Sequence, residues 1–148
     1  MVCVVLFSAV VTTTRVAGGS DVVLEWNAIA VNTMVPTQSP FGQARLAAIT
    51  QLAVFEAVNA VTGDYQPYLG TIDAPDGASA DAAAVAAAHA VLKNYFPANA
   101  VALDAARASS LAAITDGAAK TNGIATGEAA AAAMIAVRVG DGSAPSST

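Results

Sequence analysis

The sequence predicts an all-α fold, a helical bundle of about five helices, and three observations carry that expectation. Apolar residues recur at helical spacing in stretches separated by Pro, Gly and Ser. Alanine, the strongest helix former, supplies much of a hydrophobic fraction of 55%. Capping residues stand immediately before the periodic stretches, and no alternating strand pattern bounded by turn residues competes with them.

The first periodic stretch, DVVLEWNAIAVNTM from Ser20 or Asp21, places Val22, Trp26, Ile29 and Thr33 or Met34 on one face, with an N-capping side chain and Glu25 in the first turn. It should end near Val35, because Pro36 disfavours a helical residue before it. Ser39 followed by Pro40 marks the next start, since a missing N–H costs nothing at the first helical position. That helix runs through Arg45–Val61, RLAAITQLAVFEAVNAV, to a stop at Gly63. Its apolar residues fall almost all round, so it is expected to sit at the centre of the bundle, covered on most sides.

Residues 63–78 hold two prolines and several glycines without a period, and read as a long loop. Tyr65 and Tyr68 flank Pro67 there, and the simplest role for their rings is to pin the loop to the bundle. Ser79 caps a third helix, SADAAAVAAAHAVLKNYF, closed by Pro97. Asn99 is the expected cap of a fourth, AVALDAARASSLAAI, broken at Asp116-Gly117. A fifth runs from about Thr121 to Val139, with Gly140 as terminator. Within it Gly123 and Gly127 stand four apart, a spacing that lets a neighbouring backbone come close.

These elements define a bundle domain over residues 20–139, preceded by residues 1–18 and followed by a linker-like tail, 140–148. The run Val2–Val11 is too short to span a bilayer and is followed by small residues at Val16-Ala17-Gly18, as in a secretory signal segment, although no Lys or Arg precedes Arg15. The other reading is an apolar N-terminal strand or helix packed on the domain. No other run reads as a membrane span. Without residues 1–18, five Lys/Arg stand against eleven Asp/Glu, a net charge of −6. So acidic a chain, lacking a basic patch, argues against nucleic acid and anionic membrane surfaces. Cys3 is the single cysteine, which excludes a disulfide framework or a cysteine metal site.

The sequence holds no catalytic or metal-ligand constellation. His89 is the only histidine, and a triad or metal site needs convergent partners. Glu56 lies three turns from Arg45 at nearly the same angle, with Asn59 nearby, so a partly buried carboxylate bonded to a neighbouring helix is expected. An enzyme built on Glu56 and His89 would need the two to converge in a pocket. Ala119-Lys120-Thr121 mimics the end of a phosphate loop, but the required glycines would fall at Ile114 and Ala119. Neither a nucleophile elbow nor a dinucleotide fingerprint is present. No catalytic, cofactor-binding or metal-ligating residue is assigned.

Taken together, DVVLEWNAIAVNTM, ARLAAITQLAVFEAVNAV with YQPYL after it, GASADAAAVAAAHAVLKNYFP and LAAITDGAAKTNGIATGEAAAAAMIAVRVGDGS resemble the N-terminal helical half of bacterial vanadium-dependent haloperoxidases, which belong with the type 2 phosphatidic acid phosphatase superfamily. The resemblance spans Asp21 to Ser143 and implies a partial fold, vanadate as cofactor of the whole protein, a C-terminal catalytic half as partner, and a secreted or periplasmic location. In that family a histidine bonds vanadate or becomes phosphorylated, while Lys, Arg, Ser and backbone N–H groups hold the oxygens. The corresponding signature is Lys followed at a fixed distance by Arg-Pro, then Pro-Ser-Gly-His, then Ser-Arg with a later His. Neither Lys93 nor Lys120 is followed by Arg-Pro, and Pro-Ser-Gly does not precede His89. The resemblance therefore implies a non-catalytic portion of such a protein. The competing expectation is a self-standing secreted helical scaffold or interaction module.

Overall fold

A computed structural model describes residues 21–70 and 72–143. The expectations for residues 1–18 and for 144–148 lie outside the described residues. Five α-helices follow one another: α1 (Val22–Met34), α2 (Pro40–Thr62), α3 (Ala80–Tyr95), α4 (Ala100–Ala112) and α5 (Ala118–Ala136), with a short 3-10 turn at Pro97–Asn99 ahead of α4. The fold is all-α, and no strand occurs among the described residues.

Most boundaries follow from the caps. Asp21 accepts hydrogen bonds from the Val23 and Leu24 backbone N–H groups, Ser39 from Gly42 and Ser79 from Ala82. Each satisfies an amide that the first helical turn leaves without a partner. Gly63 ends α2 at φ 70°, in the left-handed region that a residue with a Cβ enters at a cost, and its N–H returns to the Asn59 carbonyl. Asn99 makes no side-chain cap bond, and α5 begins three residues earlier than its apolar pattern suggests, after Gly117.

The bundle is centred on α3, and the expectation that α2 occupies the centre is corrected. Every residue from Ala82 to His89 is buried, and α3 packs against each of the other four helices. On α2 the inner face, Leu46, Ile49, Ala53 and Ala57, is buried, while Leu52, Phe55 and Val58 stay half-exposed on the outer side. The physical reason is size. Alanine adds little width to a helix, so four neighbours can approach α3 at once, whereas the bulkier α2 fills the core with one side only. By length and composition α2 could cross a membrane, contrary to the sequence reading. The core helix of a soluble protein passes the same test.

The closest approach is between α3 and α5, which run parallel. Gly123 lies on the Ser79 carbonyl and Gly127 on the Ala83 carbonyl. A Cβ at residue 123 would come within 3.0 Å of the Ala82 methyl, and one at residue 127 within 2.9 Å of the Ala86 methyl, each also overlapping the facing carbonyl oxygen. The two glycines thus serve the purpose their spacing suggests. The Ser79 N–H donates to the Ala119 carbonyl at 2.9 Å, pinning the two helix starts together. Ala130, Ala131 and Met134 continue the seam.

At the far end, residues 140–143 return to the bundle. Asp141 forms a 2.8 Å ion pair with Arg45 on α2, and the Ser143 backbone N–H closes onto the same carboxylate. Hydrogen bonding from Ser143, followed by that from Arg45, holds the Asp141 carboxyl at about 2.

Replacing Gly127 by Ala should lower the urea unfolding free energy by about 1–3 kcal/mol, because backbone atoms cannot yield to the new methyl. Gly42→Ala supplies the contrast. Its nearest obstacle is the movable Gln38 side chain at 3.0 Å, so helix propensity should leave that variant unchanged or up to about 1 kcal/mol more stable.

Candidate functional site

Two polar clusters interrupt the apolar interior. The first lies where α1, α3 and α4 meet. Trp26, 2% exposed, points its indole N–H at the Ser110 hydroxyl at 3.1 Å, and Ser110 lies 2.9 Å from the Glu25 carboxylate, to which it donates. The Trp26 ring stands edge-on to His89, 6.1 Å between centroids at 89°. His89 Nε2 lies 2.7 Å from Asp104 Oδ1, and Lys93 binds both oxygens of Asp104 at 2.8 and 2.9 Å.

Burial is the largest influence on His89 and lowers its pKa, outweighing the Asp104 hydrogen bond that acts to raise it. Asp104 is exposed and answers differently: its bonds to Lys93 and then His89 hold it below the ordinary carboxylate range. Neutral His89 therefore keeps its proton on Nε2, directed at Asp104, and leaves Nδ1 as the basic nitrogen. An open groove of about 380 Å³ runs past His89, Lys93, Asn94 and Glu128. The arrangement could move a proton. Arg107 beside it is already paired with Glu128 at 2.6 Å.

The second cluster holds the long loop. Glu56, 2% exposed, accepts the Tyr68 backbone N–H at 2.5 Å. One turn on, Asn59 accepts from the Tyr65 N–H and donates to the Tyr65 carbonyl, both at 2.8 Å. Such a two-way clasp needs an amide, because a carboxylate offers no donor. Glu56 and Asn59, with Tyr65, Pro67 and Ile72, line a hollow of about 190 Å³. The Tyr65 ring meets the Phe55 ring of α2 at 6.2 Å between centroids, as expected, but at 71% and 57% exposed Tyr65 and Tyr68 leave most of the holding to backbone bonds onto α2. Tyr68 does accept a 3.2 Å bond from Arg138 through its hydroxyl.

Glu56 is buried as expected, but its partner is the loop rather than a neighbouring helix, and Arg45 turns away to Asp141. Glu56 and His89 line different hollows and share no partner, so the pair does not form one site. Lys120 is bound to Asp116 at 2.7 Å and to the Ile114 carbonyl at 3.3 Å. Among the described residues no group of three His, Asp or Glu side chains could hold a metal ion. Sequence reasoning missed Asp104 and Ser110, the residues that engage His89 and Trp26. Six residues apart on α4, they lie on different sides of the helix and meet different neighbours, so no spacing rule could have linked them. No family model, curated protein or solved structure matches the chain.

Two outcomes follow. His89 binds its proton more weakly when folded than when unfolded, so its contribution to stability is complete above about 6.5 and is lost as the pH falls below that value towards the folded pKa. Imidazole NMR should place the His89 midpoint below 6.5, and His89→Gln should flatten that part of the stability profile. Asn59→Ala should speed proteolytic cleavage within residues 64–78 and cost about 1–3 kcal/mol, through the unpaired Tyr65 groups.

Proposed function

We propose that this chain is the N-terminal, non-catalytic helical portion of a vanadium-dependent haloperoxidase or acid-phosphatase-like protein, exported from the cytoplasm, in which it supports a separate catalytic half. The reading rests on the four family-like segments. The first three coincide with α1, α2 with its loop, and α3; the fourth covers the end of α4 and all of α5.

One observation supports the non-catalytic part: the described cations are engaged by other side chains of the chain itself. Arg45, Lys93, Arg107 and Lys120 are each ion-paired, and Arg138 reaches Tyr68. An oxyanion site needs cations and N–H donors that converge on empty space. Here four of the five meet carboxylates and the fifth, Arg138, a phenol oxygen. In the parent protein the chemistry would be halide oxidation by peroxide or phosphate ester hydrolysis, with vanadate or phosphate held by residues of the other half.

A second reading, a self-standing secreted scaffold or interaction module, is favoured by the enclosure of α3 among the other four helices. The two readings separate on the intact mass of the polypeptide in its native source. A parent enzyme should be near three times the 14.6 kDa of this chain, and a scaffold at or just below 14.6 kDa.

Supplied with vanadate, peroxide and bromide, or with an aryl phosphate, the purified chain should show no turnover above the protein-free rate. Vanadate-dependent bromination by this chain alone would overturn the proposal.

A further inference from the structure

The outer side of α1 and α2 gathers four of the exposed large apolar side chains, Leu24, Val31, Val35 and Phe41. On α1 and its C-cap, Leu24, Ala28, Val31 and Val35 are exposed, with Leu24 at 68% and Val35 at 54%. Their spacing of four, three and four residues is that of a seam made for a second helix. Glu25, the one charged residue on α1, is turned to Ser110 on α4. Alongside runs the outer ridge of α2: Phe41, 89% exposed, then Ala44, Ala48 and the half-exposed Leu52 and Phe55.

The two helices are antiparallel, bridged midway by a 3.1 Å bond from Gln51 to Asn27. Apolar hollows open at either end. One, about 290 Å³, lies among Val23, Val54, Phe55 and Val58; the other, about 300 Å³, among Val31, Met34, Val35 and Ala47.

Charge decides what could cover this face. The chain carries −5 overall, so another copy is repelled by most of its surface. On this side Asp64, at the rim of the first hollow, is the only charged residue lining either cavity. A basic partner would find its complement elsewhere, whereas an uncharged, self-matching strip fits itself.

We propose that two copies of this chain pair through α1 and the ridge of α2, antiparallel about a two-fold axis near Ala28 and Val31. Leu24 of each copy then meets Val35 of the other, and Ala28 meets Val31, so large faces medium and small faces medium. A parallel register would set Ala28 on Ala28 and leave a gap. The antiparallel arrangement also carries Phe41, which lies past the end of α1, towards the hollow at Val23, Val54 and Val58 of the second copy. An aromatic anchor entering an apolar pocket is the usual centre of such an interface. Thirteen residues of α1 give about 20 Å of length, and two helices side by side about 20 Å of width, on the order of 400 Å² in projection per copy. That is a small interface, and the pair should dissociate in the micromolar range.

The proposal stands apart from the haloperoxidase reading and can fail without it. Light scattering and sedimentation of the full chain under reducing conditions, from about 1 to 500 µM, should show the 14.6 kDa mass doubling with concentration. Leu24→Glu and Val35→Lys should each remain monomeric with unchanged helical circular dichroism, and Phe41→Ala should weaken pairing at least about tenfold. An equimolar mixture of Leu24→Glu and Val35→Lys should recover a heterodimer, because antiparallel pairing brings the introduced carboxylate to the introduced ammonium. A monomer throughout the range would overturn the proposal and leave the face to another polypeptide. Association untouched by the α1 variants would also overturn it, as when residues 1–20 drive aggregation. Failure of the mixture to recover would overturn the antiparallel geometry.

Discussion

The contact on which the bundle depends is the one between two backbones, where Gly123 and Gly127 of α5 lie against the carbonyls of Ser79 and Ala83 on α3. Small residues on both sides bring the helix axes close enough for the alanine methyls of α3 to touch atoms on every flank. Without that closeness the alanine core would be porous, since each methyl removes little area from water. Bulk is supplied mostly by the surrounding helices: Trp26 and Met34 from α1, Leu103 from α4 and Met134 from α5, with Leu92 near the end of α3, rank among the largest fully buried side chains.

Polar groups divide the labour with this apolar frame. Ser110 and Glu25 join α4 to α1, Asp104 joins α4 to His89 and Lys93 of α3, and Arg107 with Glu128 joins α4 to α5. α4 contributes only Leu103, Ser110 and Leu111 to the buried set, and such bonds orient the rest of its length. The exposed pairs among them add little energy individually. The buried Trp26 and Ser110 contact matters more, because losing either partner would strand the other.

What the sequence made legible was local. Asp21, Ser39-Pro40, Ser79 and Gly63 state where helices begin and end, because a cap depends on residues within one turn of itself. The glycine pair on α5 was legible too, since close approach is what its spacing permits. The centre of the bundle was harder to see. A helix of alanines shows little periodic bulk, and its burial is decided by what its neighbours do, so the more conspicuous α2 looked central. The polar clusters were less legible still: Trp26 and Ser110 are 84 residues apart, and Arg45 and Asp141 are 96 apart. Glu56 was singled out correctly as buried, but a partner in an irregular loop carries no spacing rule.

Trp26 is the only tryptophan in the chain, and it lies where three helices meet, bonded to Ser110 and edge-on to His89. Its emission is therefore a built-in optical gauge of this junction. Protonation of the imidazole would quench the indole beside it, and separation of α1 from α3 and α4 would shift its emission to the red as water reached the ring. Both events can thus be followed in the unmodified chain without an added label, each with its own spectral sign.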